Sequence, residues 1–194
     1  MSNTSTFLSL LFRQKYIRRW GLMRSLFPES LSDHSFETAA VTHMLAMIGN
    51  ARYDRGYDAD YAAMTALYHD AGEVYTGDLP TPIKYHSTEL RDSYKQLEEA
   101  ASEKLLTKLP EDLRDAYRKY LMPGDERYIK LVKAADKLCA LLKCMEEERN
   151  GSKEFANAIV SIRASVDRIA EEMPEVRDFM SEMLGAFEMT IDEL

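Results

Sequence analysis

The sequence has little of what would direct it to an oxidising compartment, a membrane or a nucleic acid. Only two of its 194 residues are cysteine. Cys139 and Cys144 are five residues apart, about 500° around a helix, so they share no face. Neither a disulfide nor a Cys-x-x-Cys site is expected, and buried thiols are. No apolar run approaches the roughly 20 residues of a membrane span. Phe7 to Phe12 is apolar, but its positive charges follow it, the reverse of a secretory signal. A cytoplasmic protein with no membrane partner is expected. Positive charge is also scarce: 25 Lys and Arg against 33 Asp and Glu leave a net charge of −8. That argues against a general nucleic-acid partner, though a cleft on an acidic protein can still be locally positive for a small anion. Period-two alternation, repeats, low-complexity tracts and linkers are all missing.

What is present is ordinary for one globular domain: 45% apolar and 30% charged residues over a length that can bury a core. One all-α domain over residues 1–194 is expected. The periodicity predicts helices near residues 4–18, 34–49, 59–74, 87–108, 111–120, 126–150, 152–171 and 175–188. Ser32 or Asp33 is a suitable N-cap for the second of these. Pro80 and Pro82 forbid helix and stiffen a loop directly after the third.

The third helix carries the most informative residues, His69-Asp70 within Ala66-Leu67-Tyr68-His69-Asp70-Ala71-Gly72-Glu73. A histidine and a carboxylate on a mostly apolar helix are costly to bury unless something binds them. About 100° apart on a helix, both lean toward one ion, Glu73 follows on the same side, and Gly72 leaves that flank uncrowded. His34 lies upstream and Asp136 downstream, giving two nitrogens and two oxygens from three segments. Each residue alone reads more simply as structural: an ion pair of Asp136 with Lys133, for instance, is as good an explanation as ligation. Their joint occurrence favours a site. His43, nine residues past His34, faces the other way, and His86 has no partner in sequence. Mixed imidazole and carboxylate donors suit manganese, cobalt, iron, nickel or zinc. Four protein donors leave positions open for water and a substrate oxygen, an arrangement suited to phosphoryl chemistry.

At this point the chain resembles the HD-domain phosphohydrolases, whose pattern is histidine, histidine-aspartate, then a distal aspartate on a helix. Four segments narrow the likeness: Arg19-Trp20-Gly21-Leu22-Met23-Arg24, Tyr68 to Val74, Thr76 to Tyr85, and Lys133 to Ala140. They resemble the bacterial 5′-deoxynucleotidases of the YfbR type over almost the whole chain. The resemblance implies an HD-domain orthogonal helical bundle, a homodimer and one divalent metal ion, cobalt, manganese or similar. It also implies hydrolysis of deoxyribonucleoside 5′-monophosphates with selection against ribonucleotides.

Carried over by position, His34, His69, Asp70 and Asp136 hold the metal. Arg19 orients the phosphate and Trp20 lies beside the sugar. Asp78, Leu79, Pro80 and Thr81 form the substrate loop, with His34, Asp70 and Asp136 also lining the substrate position. Glu73 and Asp78, with Arg19, carry the catalysis. An indole against C2′ would leave a ribose hydroxyl unpaired, at a cost on the order of 1–3 kcal/mol. The chain departs from the family pattern at Gly21, Asp33 and Lys137, where proline, glutamate and a small residue are expected. The competing readings are an HD enzyme acting on an alarmone, a cyclic dinucleotide or a nucleoside triphosphate, an inactive nucleotide-binding helical module, and a bare oligomeric scaffold.

Overall fold

A computed structural model describes residues 4–84 and 86–193, apart from the side chain of Thr81. Among the described residues there is no strand. The nearest approach to one is an isolated antiparallel bridge between Arg18 and Ser30. The helices are α1 (Phe7–Leu11), α2 (Leu31–Tyr53), α3 (Ala59–Tyr68), α4 (Glu73–Thr76), α5 (Thr81–Lys84), α6 (Thr88–Leu106), α7 (Glu111–Leu121), α8 (Glu126–Arg149), α9 (Ala156–Glu172) and α10 (Pro174–Glu182). None is long and apolar enough to cross a membrane.

Two apolar clusters frame the site. The larger joins α2, α3, α8, α9 and α10 through Leu45, Leu131, Leu138, Leu141, Val166 and Phe179. Burying each such side chain is worth about 1.5–3 kcal/mol. The smaller joins Phe7, Leu11, Tyr68, Ala71, Leu105 and Leu106. His34 and Asp136 project from α2 and α8 of the first cluster. His69 and Asp70 lie where α3 ends and the chain enters the second.

Several boundaries differ from the sequence expectation, each for a local reason. The first helix is short: α1 gives way to a 3-10 turn over Phe12–Tyr16. The second begins at Leu31 rather than residue 34, because Ser30 is its N-cap in place of Ser32 or Asp33. Asp33 instead completes a capping box, its carboxylate accepting from the Ser30 N–H at 3.0 Å while Ser30 Oγ accepts from the Asp33 N–H at 3.2 Å. An aspartate completes the box here, so the departure from the expected glutamate at this position costs the cap nothing.

The expected helix over 59–74 breaks after Tyr68. His69, Ala71 and Glu73 donate to carbonyls three residues back, Ala66, Tyr68 and Asp70, so residues 69–72 wind as tight turns. His69 and Asp70 therefore sit on a turn, not on a continuous helix face. Gly72 does not leave the metal flank open; a Cβ there would lie 3.3 Å from Ala101 Cβ, so its small size lets α6 approach. Pro82 sits inside the one-turn helix α5, against the expectation that the prolines exclude helix. A first-turn N–H has no helical partner, so proline costs nothing there. The last expected helix stops at Glu182, and a 3-10 turn follows over Leu184–Glu188.

Candidate metal centre and substrate loop

The site is assembled from α2, the turn after α3, α8 and the loop before α2. The capping box sets the start of α2 and, one residue later, His34, which is fully buried. His69 is fixed by its own ring: Nδ1–H donates to the Ala66 carbonyl at 2.7 Å. A carbonyl can only accept, so Nδ1 carries a proton and Nε2 is the nitrogen left to face the centre. Asp136 sits midway along α8 among Val132, Ala135, Cys139 and Ala140, all buried.

Donor atoms of His34, His69 and Asp136 all lie within 4.8 Å of one another. His34 Nε2 is 3.1 Å from Asp136 Oδ1 and 3.9 Å from Asp70 Oδ2. Asp70 Oδ2 is in turn 3.0 Å from His69 Nε2. That last contact is close but is not a hydrogen bond, since His69 Nε2 is buried without a hydrogen-bond partner. With Nε2 deprotonated, as a metal ligand must be, a carboxylate oxygen at 3.0 Å repels it unless a cation lies between or beside them. The donor set therefore fits a divalent ion, with His34, His69 and Asp136 as the converging group and Asp70 adjoining it. The alternative ion pair of Asp136 with Lys133 is absent among the described residues; Asp136 pairs with His34 and Arg19 instead.

Arg19 completes the charge balance. Main-chain bonds from Arg19 N to the Glu29 carbonyl (3.1 Å) and from Leu31 N to the Ile17 carbonyl (2.9 Å) close residues 19–29 into a loop based beside α2. The Arg19 guanidinium reaches over the centre, 3.8 Å from Asp70 Oδ2 and 3.9 Å from Asp136 Oδ1. These contacts are long, so its terminal nitrogens remain available to a phosphate. Trp20 has a φ of 60°, a left-handed backbone that non-glycine residues seldom adopt. Its ring packs edge-on to buried Phe155 at 5.3 Å, and its indole N–H donates to Glu29.

Burial disfavours charge throughout this cluster, and specific partners decide each outcome. For Asp136, burial pushes the carboxyl up, but His34, His69 and Arg19 pull it well below the usual carboxylate range. Glu29 is likewise raised by burial and lowered further by His34, Arg19 and Trp20, with a net downward shift. For Glu73, burial, then Asp70 and Asp78, outweigh Arg19 and Lys84 and push it up to about 10. Asp78 is raised too, burial outweighing Arg19. Two carboxyls of raised proton affinity thus stand beside two held ionised, the pattern in which acid and base roles separate.

The structure brings together Arg19, Trp20, His34, His69, Asp70 and Asp136, with Glu73 and Asp78 within electrostatic reach. Leu79 and Pro80 lie on the partly buried loop after α4. The Thr81 side chain falls outside the described residues. His43 and His86 lie away from the centre, on exposed or part-exposed surface, as expected.

Two residues were not anticipated. Glu29 lies under Arg19, and Glu147, on α8, accepts from Ser25 Oγ (2.5 Å), Leu26 N (2.9 Å) and Phe27 N (3.0 Å) in the middle of the loop. A signal for Glu147 existed: it is eleven residues past Asp136, about three full turns, hence on the same stripe of α8.

This fold is that of the HD-domain phosphohydrolases. A solved HD-domain phosphohydrolase from Listeria innocua superposes with a TM-score of 0.80 at 23% identity, over 94% of this chain and 88% of its own. A cyanophage S-2L HD phosphohydrolase, bound to dA and one catalytic Zn2+ ion, superposes at 0.64 and 19% identity over 96% of each chain. Sequence narrows the class. The YfbR-like 5′-deoxynucleotidase family model matches residues 6–187. Curated 5′-deoxynucleotidases of Vibrio cholerae and Yersinia pestis are 42% and 41% identical, each over 98% of this chain and over 98% and 96% of their own. The chain belongs to the YfbR-like 5′-deoxynucleotidase family.

Proposed function

We propose that this protein is a metal-dependent 5′-deoxynucleotidase that releases phosphate from deoxyribonucleoside 5′-monophosphates and disfavours ribonucleotides. The observation that carries this is the convergence of His34, His69 and Asp136 within 4.8 Å beneath the Arg19 guanidinium. Family membership and the curated names of its relatives support the substrate class. The deoxynucleoside and single zinc ion held by the phage protein agree with it.

His34, His69, Asp70 and Asp136 would hold one divalent ion, manganese, cobalt or similar. When bound, such an ion supplies Lewis-acid polarisation of the phosphoryl group and makes water easier to deprotonate. The chain's own residues do the rest. Arg19 exchanges its long carboxylate contacts for two charge-assisted hydrogen bonds to phosphate oxygens. It thereby aligns phosphorus and balances charge that grows in the transition state. Asp78, Leu79, Pro80 and Thr81 close the substrate side, and the Trp20 ring flanks C2′. Asp78 holds the attacking water or takes its proton, with Glu73 the alternative.

A single-domain, cytoplasmic homodimer completes this reading. Phe36, Met44 and Met47 form an exposed apolar stripe on one face of α2 that a second copy would cover.

Stripping the protein with chelator and reloading it tests the proposal. Phosphate release from dAMP should require added manganese or cobalt; release that persists without any ion would overturn it. The proton-transfer assignment is tested by Asp78→Asn and Glu73→Gln made separately. The residue that moves the proton should lose about 100- to 10,000-fold in kcat. Near-normal turnover in either variant removes that residue from the role.

A further inference from the structure

Glu29 is where the three parts of the site meet. Its side chain is only 6% exposed. Oε2 accepts the Trp20 indole N–H at 2.5 Å and lies 3.4 Å from Arg19 Nε. Oε1 lies 3.5 Å from His34 Nδ1, on the side of the ring away from Asp136. Its main chain contributes as well, the Glu29 carbonyl accepting from Arg19 N–H. The carboxylate is itself held in place, because Glu29 directly precedes the Ser30 cap of α2.

Each contact has a separate consequence. A carboxylate facing the outer nitrogen of a ligating imidazole strengthens it as a donor and, beside Thr38 Oγ1 at 3.5 Å from the same nitrogen, favours a proton there. A carboxylate beside Arg Nε leaves the two terminal nitrogens free to grip phosphate as a pair. An acceptor for the indole N–H holds the ring of a residue whose left-handed backbone would otherwise relax. Arg19 Nε makes no hydrogen bond and is held by charge alone, so neutralising Glu29 removes that attraction and leaves the indole N–H a weaker acceptor.

We propose that Glu29 is a positioning residue that couples sugar selection to metal binding: one carboxylate sets the His34 ring, braces Arg19 and fixes the Trp20 indole. The sugar part rests on the deoxynucleotidase reading; the metal and indole parts do not.

Trp20 is the single tryptophan of the chain, so emission excited at wavelengths beyond tyrosine absorption reports this loop alone. Full-length wild type and Glu29→Gln, both stripped of metal, are compared by manganese titration calorimetry, tryptophan emission and the ratio of kcat/KM for dAMP and AMP. In Glu29→Gln, manganese binding should weaken about 10- to 100-fold, the emission should shift to the red, and the deoxy-to-ribo ratio should fall toward one. A merely structural role would move none of these in a variant that melts like wild type. Wild-type manganese affinity, or an unchanged ratio alongside weakened manganese binding, overturns the coupling.

Should Glu29→Gln fail to fold, Trp20→Phe tests the link from its other end. Releasing one partner of Glu29 should weaken manganese binding about 2- to 30-fold, and unchanged affinity overturns the proposal. If wild type turns over neither sugar, the functional reading falls. Glu29 is then judged by manganese affinity and emission: both moved supports it, either unmoved overturns it.

Discussion

Asp136→Ala should lower metal-dependent phosphate release by about a thousandfold or more, since the ion's stabilisation of transition-state charge is worth several kcal/mol and each 1.4 kcal/mol is tenfold. Its carboxylate is the oxygen donor of the converging group, 3.1 Å from His34 Nε2, and it is one of three acidic partners of Arg19. The variant should still fold. Asp136 and Asp70 raise each other's cost of ionisation in the absence of a cation, so removing one relieves repulsion. The variant should lose the gain in stability that metal gives. At a concentration one hundred times its dissociation constant a ligand adds about 2.7 kcal/mol, or roughly 5–11 °C in Tm at this chain length. Thermal melts with and without manganese check this: wild type shifts and Asp136→Ala does not. A variant that keeps both the shift and the turnover would place the ion elsewhere.

Glu147→Ala should be the most destabilising single change outside the apolar core, at about 3–5 kcal/mol. Its side chain is fully buried and accepts from Ser25 Oγ, Leu26 N, Phe27 N and, at 2.8 Å, Lys143 Nζ. Alanine leaves those donors buried with nothing in the carboxylate's place. It also leaves Lys143 with only the Phe27 carbonyl and Glu146. The same residue governs part of the acid response. Burial raises its carboxyl, but Lys143, Ser25 and the backbone N–H groups of Phe27 and Leu26 outweigh that and bring it from an ordinary 4.5 down to about 2.

A depressed carboxyl contributes stability above its unfolded value and loses it as pH falls toward the folded one. Wild type should therefore lose this contribution between pH 4.5 and about 2. Glu147→Gln, already weaker at neutral pH, should show a flatter decline over that window. Chemical denaturation at a series of pH values measures both, and parallel acid limbs in the two proteins would contradict the assignment. Because the tether holds the loop that carries Arg19 and Trp20, folded Glu147→Gln should also bind substrate less tightly.

The sequence made this cluster of candidate donors readable because their chemistry is unusual for their surroundings. His69, Asp70 and Asp136 are polar groups in apolar segments, and three such segments in the right order leave few alternatives. The helical class was readable for the same reason in reverse, since nothing alternates with period two. What escaped was tertiary. Glu29 sits in Phe27-Pro28-Glu29-Ser30, which reads as an exposed turn until the Arg18–Ser30 bridge folds it under Arg19. Glu147 sits in a run of charged residues near the end of α8 and reads as solvated, although only its neighbours are exposed. The break after Tyr68 arises from the His69 ring taking the Ala66 carbonyl, a side-chain choice that apolar periodicity does not encode. Pro82 stands in a helix that is all first turn, where the exclusion of proline from helix interiors does not operate.

The central claim is that one loop, braced on a metal centre, selects the sugar. Its most direct test is kcat/KM of the manganese-loaded wild type for paired deoxy- and ribonucleoside 5′-monophosphates. An unpaired 2′-hydroxyl against Trp20, at about 1–3 kcal/mol, predicts a preference of roughly 5- to 150-fold for the deoxy member of each pair, with little dependence on the base. Equal turnover of both sugars would leave a phosphohydrolase in place but contradict the role given to Trp20 and its loop.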